Sequence, residues 1–338
     1  MSTAVTDASE YSVVVPVYNE QGCLEELGSR LGETLDGLSA RWEVIFVDDG
    51  SSDGSYDEMT AIATRDPRFK ILRLSRNFGH QNAITAGLDA ASGDAVVIMD
   101  ADLQHPPEII PQLAARWREG YDVVYAIRSD RAGEPWTKRV TARVFYGSLG
   151  RVADIEVPAD AGDFRLVDRR ALDAFRSLRE TNRYVRGMFS WIGFAQIGVE
   201  YPYEERRSGE SKYSLRKMAA LGSDALTSFS TAPLRVALHV GFVVAALSLL
   251  AATTAVVAKI AGIFTVPGWT SLVFVTSLLG GVQLLVLGVV GVYLGRIYEE
   301  VKNRPLYIVR DAQGFDERAV PPPRDVGAVR QGLVTYDR

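Results

Sequence analysis

Two long stretches without a formal charge constrain this chain more than any other feature. No Asp, Glu, Lys or Arg occurs from Val236 to Ala258, and after Lys259 none occurs until Arg296. Runs of that length exceed what an ordinary core element uses, and each suits an apolar helix crossing a hydrocarbon layer about 30 Å thick. Pro267 and Gly268 interrupt the second run, which predicts helices over roughly 236–260 and 269–295, each long enough to span with some tilt. A buried hairpin in a soluble protein is the alternative, and the lengths weigh against it. Arg206, Arg207, Lys212, Arg216, Lys217 and Arg235 precede the first run, Arg296, Lys302 and Arg304 follow the second, and the connection carries only Lys259. Positive charge on both outer flanks predicts two cytoplasmic termini and a multi-pass protein of the inner (cytoplasmic) membrane.

The rest of the chain reads differently. Met1 to Glu10 lacks the basic and apolar regions of a signal peptide, so export of the first 230 or so residues is not expected. Cys23 is the single cysteine, which excludes an internal disulfide. A net charge of −5 gives no nucleic-acid signal. Ala95 to Met99 is continuously apolar and rich in Val and Ile, as a strand covered on both faces would be, and it delivers Asp100 and Asp102 onto a loop. Hard oxygen donors one residue apart suit Mg²⁺ or Mn²⁺, which take remaining ligands from a diphosphate and water; an exposed acidic turn is the bland alternative.

Tyr11 to Val17 is a β-branched run followed by Leu24, Leu27, Leu31, Leu35 and Leu38 at helical spacing. Trp42 to Val47, Phe69 to Leu74 and Asp122 to Ala126 read as further strands, the last ending near Arg128 and Arg131, and Trp136 to Gly150 reads as a helix. Strands alternating with helices predict an α/β domain with a mainly parallel sheet, and polar clusters at successive strand ends converge on one edge. No G-x-G-x-x-G follows a strand and no G-x-x-x-x-G-K-[ST] occurs, which argues against dehydrogenases and P-loop ATPases. None of His80, His105 and His239 has a partner at zinc-site spacing.

Val15-Pro16-Val17-Tyr18-Asn19-Glu20, Val47-Asp48-Asp49-Gly50-Ser51-Ser52-Asp53-Gly54 and Asp100-Ala101-Asp102-Leu103-Gln104-His105-Pro106-Pro107-Glu108 follow one another in an order and spacing that resemble family 2 glycosyltransferases of the GT-A fold. Within that family the likeness is to polyprenyl-phosphate glycosyltransferases, namely bactoprenol glucosyltransferases and dolichol-phosphate mannose synthases, over roughly residues 11–310. The resemblance implies that Pro16, Tyr18, Glu20 and Asp49 line the nucleotide pocket, with Asp100 and Arg128 also on the donor. It implies that Asp100, Asp102 and Gln104 hold the metal, and that Asp163, in Asp163-Phe164-Arg165, is the acidic residue beside the acceptor. Arg165 joins it as a candidate. Strand-to-turn punctuation for Pro16 and Tyr18, and a turn aspartate for Asp163, remain the alternatives. Relatives often carry a basic residue where His80 stands, so a fixed charge there is open.

Arg207, Ser211 and Lys212 precede a segment whose Leu215, Met218, Ala225, Leu226 and Phe229 lie nearly on one helical face, suited to a membrane interface or to a solvated charge run. They are the candidate clamp for a lipid phosphate, with Asp163 orienting it or taking a residual proton. The expected division is a GT-A catalytic domain over 1–210, a juxtamembrane helix over 211–232, a transmembrane hairpin over 233–297 and a cytoplasmic tail over 298–338. Beyond Arg310, with Pro321-Pro322-Pro323, the tail reads as disordered. Gly281, Gly288, Gly291 and Gly295 invite close helix contact within the chain or in a homo-oligomer.

The function this implies is inverting transfer of one hexose, from UDP-glucose as donor, to polyprenyl (undecaprenyl) phosphate on the cytoplasmic leaflet, with GDP-mannose as the alternative donor. A processive polysaccharide synthase would use Q-x-x-R-W, which Gln112 to Trp117 resembles with one residue too many between Gln and Arg, and too early in the chain. A non-catalytic membrane scaffold is the reading from another class, and the intact Asp100, Asp102 and Gln104 set argues against it.

Overall fold

The computed structural model describes residues 10–38, 40–128, 161–201, 232–261 and 268–315. They form two compact units, one built on a sheet and one on two long helices. In the first unit β1 (Tyr11–Val17), β2 (Trp42–Asp48) and β4 (Ala95–Ile98) are buried along their whole lengths, which is why they read as continuous rather than alternating apolar runs. With β3 (Phe69–Leu74) they make the parallel centre of an eight-stranded sheet ordered β7-β5-β6-β4-β1-β2-β3-β8. Helices α1 (Leu24–Asp36), α2 (Ser55–Arg65), α3 (His80–Ala90) and α4 (Ile110–Arg118) connect the strands. Leu24, Leu27, Leu31 and Leu35 of α1 have no exposed surface, so the spacing of three and four that predicted the helix is its core stripe.

The chain leaves β1 toward β2 on one side and later returns to place β4 on the other. Such a reversal opens a crevice beyond the carboxyl ends of the two neighbours. Pro16 marks where it opens: pairing of β1 with β4 ends at Val14 and Ile98, and a proline two residues further on has no N–H with which to continue that ladder.

Beyond β4 only β5 was legible as a strand. β6 (Ala161–Asp168) runs antiparallel to β4 with Ile98 opposite Arg165. Two more residues along that register bring Asp163 level with Asp100. β5 (Val123–Arg128) lies antiparallel on β6, and β7 (Gln196–Tyr201) lies parallel to β5. The sheet is therefore parallel at its centre and mixed at its flanks. Between β6 and β7 stand α5 (Arg169–Ser177) and α6 (Val185–Trp191).

The expectation of a disordered chain beyond Arg310 is corrected for Asp311 to Phe315, and the remainder of that segment, with Pro321-Pro322-Pro323, lies outside the described residues. β8 (Val309–Gln313) pairs antiparallel with β3, setting Asp311 opposite Arg73 and Gln313 opposite Ile71. Its side chains are mostly exposed, so backbone pairing at the sheet edge, and not an apolar pattern, holds it. The Tyr307 hydroxyl donates to Asp89 Oδ2 at 2.8 Å, where Arg179 also binds at 2.6 Å.

The second unit contains α7 (Ala232–Ile260) and α8 (Trp269–Val301), which pack on each other. Gly268 precedes the first turn of α8, where the Pro267-Gly268 break was read. Among the described residues one segment, the 24-residue Leu278–Val301, is long and apolar enough to cross a membrane. A Cβ added at Gly281, Gly288, Gly291 or Gly295 meets nothing within 4 Å, so this seam is not closed by the described residues of the chain itself.

Helix α3, whose first residue is His80, packs on β1 and β2. At Gly87 a Cβ would overlap Val14 Cγ1 and stand 3.0 Å from Val47 Cγ2, so the glycine permits the close approach. Gly87→Val should therefore lower unfolding free energy by about 1–3 kcal/mol, read as an earlier thermal transition. An unchanged midpoint would mean that α3 can lift off the sheet without cost.

Candidate active site

The loops after β1 and β2 are knitted together at the crevice. Asn19 takes a left-handed φ of 55°, tolerated by a short amide side chain, and its Oδ1 accepts from Ser52 N–H at 2.9 Å while its own N–H donates to Ser51 Oγ at 3.1 Å. The Glu20 N–H donates to Ser55 Oγ at 2.9 Å. Tyr18 is left 47% exposed, as a residue available to a ligand should be. Pro16, expected in the nucleotide pocket, is buried near the end of β1, where it ends the ladder with β4.

Asp49, expected in the same pocket, has backbone partners of its own. It is 3% exposed, and its two carboxylate oxygens accept from Phe78 N–H at 2.7 Å and Gly79 N–H at 2.9 Å. Burial pushes its pKa up against those hydrogen bonds. Its first task is thus to hold the loop that launches α3. Gly50 beside it has φ +74°, and a Cβ there would stand 2.7 Å from the carbonyl carbon of Arg76, so the two loops touch through backbone.

The Asp100 to Gln104 loop shows how two carboxylates are presented. The Asp100 N–H donates to His105 Nδ1 at 3.1 Å, and the Gln104 N–H donates to Asp102 Oδ1 at 3.1 Å. An accepting Nδ1 carries no proton, which puts the ring proton of His105 on Nε2. His105 is 3% exposed and stacks on Phe164, with ring centroids 5.1 Å apart. Leu103, between Asp102 and Gln104, sits at φ 60°, a conformation costing about 1–2 kcal/mol that the surrounding loop must hold in place. Farther on, Arg30 of α1 forks onto Glu108 with two bonds of 2.8 Å.

The Asp100 Oδ1 atom is buried and accepts no hydrogen bond. A buried carboxylate oxygen in that state is costly without a cation. Among the described residues no group of three or more His, Cys, Asp or Glu forms a metal cage. Two hard carboxylates without a closed cage fit Mg²⁺ or Mn²⁺ completed by a diphosphate and water.

Asp163 stands on the adjacent strand, 6% exposed. Arg186 of α6 forks onto it, Nε to Oδ1 at 2.7 Å and Nη2 to Oδ2 at 2.8 Å. His80 Nε2 lies 3.5 Å from Asp163 Oδ2 and 3.5 Å from Asp100 Oδ1. Burial alone would raise the Asp163 pKa, but the Arg186 charge and fork, helped by His80, hold it well below the usual carboxylate range. Such a group is a weak proton acceptor, so the alternative of a base taking a residual proton loses ground to orientation. Desolvation disfavours charged His80, yet the Asp163 hydrogen bond and the two carboxylate charges outweigh it and raise its pKa. A positive charge at His80 is thus favoured by its partners.

Arg165, a candidate for direct action, is 3% exposed. Its Nη2 donates to Gly162 O at 2.8 Å and its guanidinium lies 5.1 Å from the Phe189 ring centre. Burial lowers its pKa to about 10, which leaves it charged at neutral pH. It is held by the Gly162 carbonyl and the Phe189 ring within charge range of Asp163. The Arg128 backbone ends β5 at the same sheet edge, opposite Tyr201. Arg131, Arg207, Ser211 and Lys212, the helix read over Trp136 to Gly150 and the amphipathic segment lie outside the described residues. The near match to Q-x-x-R-W, Gln112 to Trp117, falls on α4, where Trp117 Nε1 donates to Asp168 Oδ2 at 2.9 Å, a structural contact.

Two site residues were missed. Arg186 lies on a seven-residue helix with no motif around it, and only the fold brings it to Asp163. His105 was visible inside its motif but was weighed only as a metal ligand. His105→Ala would orphan the Asp100 amide, so Mn²⁺ affinity should fall on the order of tenfold. Titration of the purified protein followed by electron paramagnetic resonance measures it, and an unchanged affinity would contradict the role given to the ring.

Residues 12–176 match the family described as Glycosyl transferase family 2. The uncharacterized glycosyltransferase YkcC of Bacillus subtilis is 47% identical over 309 residues, covering 91% of this chain and 96% of that one. The bactoprenol glucosyl transferase of Shigella phage SfII is 40% identical over 299 residues, covering 88% and 97%. Among solved structures, glucosyl-3-phosphoglycerate synthase from Mycobacterium tuberculosis with Mn²⁺, uridine diphosphate and phosphoglyceric acid aligns with 64% of this chain and 75% of its own at 21% identity, with a TM-score of 0.46. Relatives at such identities over nearly their whole lengths settle what the ordered motifs resembled: the chain belongs to glycosyl transferase family 2 and is a glycosyltransferase.

Proposed function

We propose that this enzyme transfers one glucose from UDP-glucose to polyprenyl (undecaprenyl) phosphate at the cytoplasmic face of the inner membrane, with inversion at the anomeric carbon. The observation that carries the reading is the reach of the likeness to bactoprenol glucosyl transferase. It covers 88% of the chain, well past the family match that ends at residue 176. The apolar Leu278–Val301 segment supports a lipid acceptor. In this reading α7 and α8 both cross the membrane, both termini are cytoplasmic, and the open glycine seam of α8 belongs to a homo-oligomer.

Tyr18, Glu20 and the Asp49 loop bind the nucleotide, and Asp100, Asp102 and Gln104 hold Mg²⁺ or Mn²⁺ against its diphosphate. A divalent cation there cancels charge between phosphates and carboxylates and stabilises the departing nucleoside diphosphate. The acceptor is a phosphate monoester whose second pKa is about 6, so much of it is a dianion at neutral pH and a competent nucleophile without a strong base. Asp163 then orients the acceptor for attack opposite the leaving group, and Arg207, Ser211 and Lys212 clamp its phosphate.

Membranes containing the protein, supplied with undecaprenyl phosphate and either radiolabelled UDP-glucose or GDP-mannose, test this directly. Label from UDP-glucose should enter the organic phase, and EDTA or Asp102→Ala should abolish it. Transfer from GDP-mannose alone would refute the donor, and label in no lipid product would refute the acceptor. A reporter fused after Arg338 should behave as cytoplasmic and one inserted near Thr265 as external; the reverse would refute the topology.

A further inference from the structure

Asp163 poses an electrostatic problem that the proposed reaction must solve. A buried carboxylate that orients an anionic acceptor also repels it, and the crevice already holds Asp100 and Asp102 on the donor side. The groups facing Asp163 are Arg186 from α6, His80 from the first turn of α3 and Arg165 from its own strand. Only Arg186 makes two short, parallel bonds to it, at 2.7 and 2.8 Å. The fork matches both oxygens of the carboxylate and fixes its plane as well as its charge, which a point charge cannot do.

The base of Arg186 is held as firmly as its tip. The Val185 N–H donates to Gln81 Oε1 at 2.9 Å, which ties the start of α6 to the first turn of α3, next to His80. Ser190 Oγ donates to the Arg186 carbonyl at 3.3 Å. Phe189, three residues on, stacks on Phe175 with ring centres 4.5 Å apart and lies against the Arg165 guanidinium. The guanidinium thus reaches Asp163 from a fixed origin.

We infer that Arg186 is a positioning residue for the transfer: locked on Asp163, it cancels that carboxylate's charge and fixes its direction, so that a phosphate-bearing acceptor can be oriented by Asp163 without being repelled. This rests on the proposed polyprenyl-phosphate acceptor. The paired carboxylate keeps lone pairs in a set direction, while the pair as a whole presents no net charge to the incoming phosphate. Loss of the guanidinium leaves a buried anion in the acceptor's path. The damage therefore falls on acceptor binding and spares the nucleotide sugar, which is held by other loops.

The test uses the full-length protein in detergent micelles with UDP-glucose and undecaprenyl phosphate. Arg186→Gln should raise the acceptor KM by about tenfold or more, as expected when one partner of a desolvated charge pair is removed, while the KM for UDP-glucose stays within about twofold. Arg186→Lys, which restores the charge without the fork, should recover much of the acceptor KM and less of kcat. In an Asp163→Asn background the same Arg186→Gln change should cost far less, since the anion to be cancelled is gone. Equal rises in both KM values, or additive costs in the double variant, would overturn the inference. If Arg186→Gln fails to fold, Arg186→Lys carries the test, and lysine kinetics identical to arginine's would overturn the fork. If the wild type transfers nothing to undecaprenyl phosphate, the functional reading fails instead. The pair is then read without substrate from a double-mutant cycle in thermal unfolding, where zero coupling between Asp163 and Arg186 would overturn it.

Discussion

The antiparallel register of β6 on β4 is the constraint on which the site depends. Ile98 opposite Arg165 means that the chain entering β6 passes Asp163 beside the end of β4, where Asp100 emerges. A slip of one residue would turn Asp163 to the other face of the sheet, among the side chains that pack with Phe164. His105 reinforces the register from the loop side. Its Nδ1 accepts from the Asp100 amide and its ring lies on Phe164, so one buried side chain joins the Asp100 loop to β6. Pro16 contributes by stopping the β1 ladder where the crevice must open.

Charge alternates across the crevice. Asp100, His80, Asp163 and Arg186 follow one another as acid, base, acid and base, with separations of 3.5 Å on both sides of His80 and a tight fork at the far end. This arrangement suits the proposed reaction, in which donor and acceptor both carry phosphate. His80 stands between Asp100 and Asp163, and Arg186 pairs with Asp163; Asp100 Oδ1, which is buried without a hydrogen bond, is where a divalent ion fits. At the buried Asp163 such a pair acts more strongly than it would on the surface.

Much of the fold was legible because it rests on periodicity. β1 to β5 and α1 to α3 follow from buried apolar runs and the leucine spacing of α1, and three motifs at strand ends identified the family. The residues that were misread or missed depend on tertiary contact. β8 has no apolar pattern and exists because the β3 edge offers it backbone partners. β6 was given no element because the charged residues Asp163 and Arg165 break its apolar run. Only burial reveals that they are partnered. Arg186 sits in a short helix with nothing in its neighbours to announce it. Pro16 and Asp49 were correctly noticed as special, but backbone geometry gives each a structural task that a motif alone cannot distinguish from ligand contact.

The central claim is that donor carboxylates and a charge-paired Asp163 flank one crevice, so that the acceptor phosphate attacks the anomeric carbon in line from the face opposite the leaving diphosphate. A single displacement of that kind inverts the anomeric centre, whereas two successive displacements, or attack from the leaving-group side, retain it. The most direct measurement is the proton coupling at the anomeric carbon of the lipid-linked glucose made from α-linked UDP-glucose. The account predicts a β-linked product, and an α-linked product would contradict it.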